Sequence, residues 1–196
     1  MKLKIGVLAS GRGSNFTALL ENSKKESSSF EIALLISDKE NAGALDTAKK
    51  ENVPHFFVNP RDFKDKGLYE KKMVEIIKGF DCDLVCLAGY MRILSPVFLN
   101  YWGKDVINIH PSLLPAFPGL DAQKQALEYG VKFSGCTVHF VDEGMDTGSI
   151  IGQRVVPVLD TDDEESLSAR ILAEEHKLYS EVVNLYGQGK IKKDKR

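Results

Sequence analysis

Three short stretches of this chain hold residue types that can do acid–base or anion-binding chemistry. The first is Asn108-Ile109-His110-Pro111-Ser112-Leu113-Leu114-Pro115. Side chains on an extended strand repeat every two residues, so Asn108 and His110 point to one face. An amide donor beside an imidazole can stabilise an oxyanion and shuttle a proton. The same two residues could equally form a satisfied polar pair at a strand end. The prolines that follow stiffen the loop, and any of its X-Pro bonds could be cis. The second stretch, Val141-Asp142-Glu143-Gly144-Met145-Asp146-Thr147-Gly148, puts three carboxylates into five residues. One of them could orient or charge a histidine; the plainer alternative is a solvated hairpin turn. The third is Ser10-Gly11-Arg12-Gly13-Ser14-Asn15. Glycines let backbone amides approach an anion, and a helix N-terminus favours negative charge. Phe16 stands where a dinucleotide fingerprint needs its third glycine, and the Lys-Ser/Thr of a nucleotide P-loop is missing. The loop therefore suits a small phosphorylated ligand better than a dinucleotide. A tight turn with Ser14 or Asn15 as helix cap is the simpler reading.

The surrounding pattern shows what must hold these stretches in place. Apolar, β-branched runs at Leu3 to Ala9, Ile32 to Ile36, His55 to Val58 and Leu84 to Ala88 read as strands. Helical segments separate them at Asn15 to Asn22, Asn41 to Lys50 and Lys66 to Lys78. Strands apolar at nearly every position belong in a parallel sheet covered on both faces. This β-α-β-α order predicts an α/β fold: a Rossmann-like, open, mostly parallel sheet with helices on both faces and right-handed crossovers. The first stretch then ends a fifth strand, Val106 to His110, and the glycine loop ends the first. Carboxyl ends of such strands are where open α/β sheets place ligands. A helix is expected over 121–129. Phe133 to Phe140 and Ile150 to Val158 alternate like an antiparallel extension around the acidic loop. Thr161-Asp162-Asp163-Glu164 resembles a capping box that opens a long last helix to about Tyr186. No linker is visible, so residues 1–196 read as one domain with two lobes, 1–88 and 89–190.

Composition narrows the class. With 43% hydrophobic and 28% charged residues, the chain is an ordinary globular sequence rather than a disordered one. No apolar run is long enough to span a bilayer, and the N-terminal run is too short for a secretory core, so no membrane association is expected. Twenty-six basic against twenty-eight acidic residues give −2, and five of the basic ones lie in the last seven positions. The body of the chain therefore lacks the basic footprint of a nucleic-acid binder, and the tail reads as a frayed, solvated end. Cys82, Cys86 and Cys136 are odd in number and form no C-x-x-C pair, which suits small buried hydrophobes in a reducing cytoplasm. Neither an H-E-x-x-H nor an EF-hand pattern occurs, so no metal is expected.

Taken together, Asn108-x-His110-Pro111-Ser112-Leu113-Leu114-Pro115 and Thr137-Val138-His139-Phe140 leading to Asp146-x-Gly148 resemble the folate-dependent formyltransferases. The Ser-Gly-x-Gly-Ser-Asn loop narrows the resemblance to the branch that formylates glycinamide ribonucleotide in purine synthesis. It runs from about Lys4 to Tyr179. Branches that act on methionyl-tRNA or hydrolyse formyl folate carry an additional domain, for which the sequence leaves no length. The resemblance implies a catalytic set of Asn108, His110 and Asp146, and a phosphate loop of Gly13, Ser14 and Asn15. It implies a folate pocket lined by Met91, Arg92, Ile93 and Leu94, with Asn108 beside it and Asp142 in the loop bordering the pteridine. Glu175 matches a residue that contacts the ribonucleotide. Lys66 or Lys64 stands where relatives have a folate-contacting Arg, and Gly148-Ser149 stands where a Gly-Pro is common. His139 is expected to be structural or supporting, His55 a strand residue without function, and His176 has no firm role. The implied co-substrate is 10-formyltetrahydrofolate, without a metal. The implied partners are small molecules only, for a cytoplasmic monomer or homodimer. A formyl-folate hydrolase and a non-catalytic sugar-phosphate module are the alternatives.

Overall fold

The computed structural model describes residues 2–191, which fall into two compact units, one running to Ile107 and one starting at Asn108. Most of the basic tail, residues 192–196, lies outside the described residues.

The first unit contains strands β1 (Leu3–Leu8), β2 (Phe30–Ser37), β3 (His55–Phe57) and β4 (Leu84–Leu87). Helices α1 (Ser14–Ser23), α2 (Gly43–Lys50), α3 (Lys66–Gly79) and α4 (Pro96–Trp102) alternate with them. β1 pairs in parallel with both β2 and β4, and β2 pairs in parallel with β3. All four residues of β4 are buried, which requires cover on both faces of the strand. Ile5, Leu35, Phe16, Met73 and Ile77 are fully buried in this core.

Helix α4 is absent from the sequence expectation. Its seven residues include Val, Phe, Tyr and Trp, which favour strands as readily as helices. Its start is set by Ser95, whose hydroxyl caps Val97 N–H, and by Pro96 in the first turn. Glu70 of α3 reinforces that start by accepting from both the Ser95 amide and its hydroxyl.

Strand β5 (Val106–His110) carries the chain into the second unit, which adds α5 (Ala122–Tyr129), β6 (Phe133–Phe140), β7 (Ile150–Pro157) and α6 (Glu164–Gly187). β6 and β7 pair antiparallel, from Phe133 opposite Pro157 to His139 opposite Ile150. α6 buries Leu167, Ile171, Tyr179 and Val183 along one side. Its cap lies two residues beyond the expected Thr161. Asp163 accepts from Ser166 N–H while the Ser166 hydroxyl accepts from Asp163 N–H, a reciprocal box with Ser in place of Glu. Asp162, next to the cap, accepts from Arg170, Leu159 N–H and the Ser166 hydroxyl.

The strand order is β3-β2-β1-β4-β5-β6-β7, an open mixed sheet of seven strands with an antiparallel end. Both the fold class and the alternation expected from the sequence hold. All three cysteines are buried, and burial pushes the Cys82 and Cys136 thiols up to about 12, so neither is a nucleophile at neutral pH. Among the described residues no helix is long and apolar enough to cross a membrane.

Candidate active site

The second unit brings the first two stretches together. His110 ends β5 and is 5% exposed; the acidic loop joins β6 to β7. The Asp146 carboxylate lies between two imidazoles, with Oδ2 3.4 Å from His110 Nδ1 and Oδ1 3.5 Å from His139 Nε2. Gly119 N–H donates to Oδ2 at 2.8 Å. Asn108 Nδ2 lies 3.2 Å from His139 Nε2, so Asn108, His139, Asp146 and His110 form one continuous polar chain.

Proton positions follow from what each partner can accept. His110 Nε2 lies 2.9 Å from the Phe117 carbonyl and His139 Nδ1 lies 2.8 Å from the Phe140 carbonyl. A carbonyl oxygen only accepts, so these two nitrogens carry hydrogen. The other nitrogen of each ring faces Asp146. In the neutral rings that nitrogen presents a lone pair to the carboxylate; one added proton converts the contact into N–H···O⁻. The site is therefore arranged to accept and release a single proton beside a fixed anion. Burial alone would push the Asp146 carboxyl up, but its contact with His139, the Gly119 N–H and the positive charge of the adjoining imidazoles when protonated outweigh it and hold the group below its usual range.

Local geometry explains why these residues stand here. Asp146 takes a left-handed conformation, φ 55°, which Asp tolerates better than most residues. Gly148 is obligatory, because a Cβ there would lie 1.7 Å from the Phe140 carbonyl oxygen. The loop after β5 is pinned by Thr137, whose hydroxyl donates to Ser112 O at 2.7 Å and accepts from Leu114 N–H at 3.1 Å. Gln153 donates to both Leu114 O and Thr137 Oγ1. The Leu114–Pro115 bond is the cis one. Thr137 and Gln153 escaped the sequence reading as supports for this loop. Only the position of Thr137 two residues before His139, on the same strand, hinted at the first.

Asp142 is exposed and organises its own loop, accepting from Gly144 N–H at 3.0 Å and from the Thr147 hydroxyl at 2.7 Å. Glu175 is buried on α6.

In the first unit the glycine loop runs into α1 as expected. Gly13 itself is the cap residue, at φ 80° and without a side-chain cap, so neither Ser14 nor Asn15 caps the helix. A Cβ on Gly13 would lie 2.6 Å from Ala44 Cβ, so glycine is demanded here by close packing on α2, whatever the loop binds. Ser14 is half-buried and Asn15 buried. Of the folate segment, Met91 and Ile93 are exposed, Leu94 is buried, and Arg92 is paired with Asp38. Lys66 lies 3.7 Å from Glu70, and Lys64 is exposed.

The chain is 43% identical over 180 residues to phosphoribosylglycinamide formyltransferase of Bacillus subtilis, covering 92% of each chain. It is 46% identical over 175 residues to the trifunctional purine biosynthetic protein adenosine-3 of Drosophila melanogaster, covering 88% of this chain. It spans only 13–19% of the length of that protein and its Drosophila pseudoobscura and bovine counterparts. Glycinamide ribonucleotide transformylase 1 from Symbiobacterium toebii superposes with a TM-score of 0.97 at 44% identity, covering 100% of this chain and 92% of that one. The formyl transferase family model matches residues 3–183, a span that contains the whole His110–Asp146–His139 cluster, and the chain belongs to that family.

Proposed function

We propose that this chain is a phosphoribosylglycinamide formyltransferase, moving the formyl group of 10-formyltetrahydrofolate to the amine of glycinamide ribonucleotide. The observation that carries the reading is the Asp146 carboxylate held between His110 and His139, with Asn108 completing the chain. The neutral amine attacks the formyl carbon and a tetrahedral oxyanion forms. Asn108 Nδ2 donates to that oxygen. The carbon–N10 bond of the folate then breaks, His110 donates a proton to the leaving nitrogen, and the proton lost by the attacking amine restores the balance. For this donation His110 exchanges its Phe117 carbonyl partner for the substrate. Asp146, held ionised, supports the protonated ring throughout. No covalent nucleophile and no metal ion is required by these steps.

The phosphate of the ribonucleotide is assigned to Gly13, Ser14 and Asn15, where α1 begins. Glu175 is assigned to the ribonucleotide as well. Met91–Leu94, Asn108, Asp142 and Lys66 or Lys64 are assigned to the folate. The domain is taken as 1–196, with a phosphate lobe 1–88 and a folate and catalytic lobe 89–190, acting in the cytoplasm as a monomer or homodimer. The test mixes the protein with 10-formyltetrahydrofolate, with and without glycinamide ribonucleotide. Turnover only with the ribonucleotide supports transfer. Formate released without it identifies a hydrolase instead, and no turnover under either condition identifies a binding module.

A further inference from the structure

One buried carboxylate outside the catalytic cluster has no part in the steps above. Asp38 follows β2, and its side chain is 1% exposed. Oδ1 accepts from the Ser10 hydroxyl at 2.6 Å and Oδ2 accepts from Arg92 Nε at 2.9 Å. The Ser10 oxygen in turn accepts from Met91 N–H at 2.9 Å, and Ser10 N–H donates to the Gly89 carbonyl at 3.0 Å. One side chain thus ties together the segments that leave the carboxyl ends of β1, β2 and β4. The flanks of residues 91–94 are pinned independently. The Tyr90 hydroxyl lies 2.7 Å from that of Tyr69, and Ser95 N–H donates to Glu70 at 2.9 Å. Between these anchors Met91 and Ile93 are 66% and 52% exposed. Apolar side chains held this far into solvent on a fixed backbone form a contact surface rather than core.

A buried charge is tolerated only when paired and hydrogen-bonded. An amide at position 38 would accept from Ser10 equally well. The negative charge is needed only to hold Arg92, and with it the turn of chain that carries Met91 and Ile93. We propose that Asp38 is a positioning residue for folate binding: through Ser10 and Arg92 it holds Met91–Leu94 in the conformation that receives the folate. This rests on the assignment of that segment to the folate.

The test compares wild type with Asp38→Asn, Ser10→Ala, Arg92→Met and the Asp38→Asn/Arg92→Met double variant. It measures kcat, KM for each substrate, direct binding of tetrahydrofolate by calorimetry, and thermal midpoint. Asp38→Asn should weaken tetrahydrofolate binding and raise the formyl-folate KM about tenfold. Its kcat and ribonucleotide KM should stay within about twofold. Arg92→Met leaves a buried carboxylate unpaired and should lower the thermal midpoint, and Asp38→Asn on that background should restore it. Wild-type transfer combined with unchanged folate binding in Asp38→Asn overturns the proposal alone. A parallel rise of both KM values with a falling midpoint also overturns it, since that marks a merely structural role. Wild type that binds tetrahydrofolate in an Asp38-dependent way but transfers no formyl group overturns the functional reading and leaves this one standing. Wild type that binds no tetrahydrofolate overturns both.

Discussion

Replacing Asp146 by Asn is the sharpest perturbation of the site, because it removes charge and almost nothing else. Asn tolerates the left-handed backbone at φ 55° as readily as Asp. Its oxygen, in the place of Oδ2, can still accept from Gly119 N–H, and its amide nitrogen, in the place of Oδ1, can donate to the His139 lone pair that faces it. What disappears is the anion beside a protonated His110. At the observed 3.4 Å a unit charge pair in an effective dielectric of about 20 is worth about 5 kcal/mol, part of which desolvation cancels. General acid groups contribute about 10²–10⁴ in rate, or about 3–5 kcal/mol, which lies within that figure. Asp146→Asn should therefore lose about 10²–10⁴ in kcat while both KM values change by less than about fivefold. Steady-state turnover of formyl folate in the presence of ribonucleotide measures this. Stability gives a second readout. The folded-state pKa of Asp146 is depressed, so its contribution is fully present above the unfolded carboxylate value of about 3.9 and is lost as pH falls through the lower folded value. The stability gap between wild type and Asp146→Asn should accordingly shrink in acid. Near-normal kcat in Asp146→Asn would falsify the electrostatic role, and a gap that widens as pH falls would contradict the depressed pKa.

Three further substitutions probe the scaffold. Thr137→Val keeps the shape but strips Ser112 O and Leu114 N–H of their buried partner, and should cost about 1–3 kcal/mol in denaturant unfolding and lower kcat; unchanged stability would show that the loop after β5 is held elsewhere. Gly13→Ala forces a Cβ to within 2.6 Å of Ala44 at φ 80°, and should cost about 2–4 kcal/mol by thermal unfolding without any ligand present. An unaltered melting temperature would mean that loop and α2 separate freely, and would return Gly13 to a role in anion binding alone. Asp163→Ala removes the side-chain half of the α6 capping box, the acceptor of Ser166 N–H, and should cost about 1 kcal/mol in denaturant unfolding; a loss as large from Thr161→Ala would move the cap back to the position read from the sequence.

The alternation of strands and helices was legible in the sequence because its signals are local. Buried parallel strands show as β-branched apolar runs, and helices as amphipathic stretches between polar turns. β5 and β6 occupy the residues expected of them, and the pairing of Asn108 with His110 on one strand follows from a period of two. Where local signals compete, the tertiary structure decides. The 96–102 segment could be strand or helix until Ser95 and Glu70 satisfy its first turn, and α6 starts at Asp163 because Ser166, three residues on, completes the reciprocal bonds there. The candidate site divides the same way. Residue types marked Asn108, His110 and Asp146 as chemistry, but no spacing shows that His139 closes the chain between Asn108 and Asp146, or that the Phe117 carbonyl accepts from His110 Nε2. Nor could the sequence show which proline is cis, or that Asp38 reaches an arginine 54 positions away. These contacts join residues distant along the chain, and their distances exist only once β5, β6 and the loops between strands are packed.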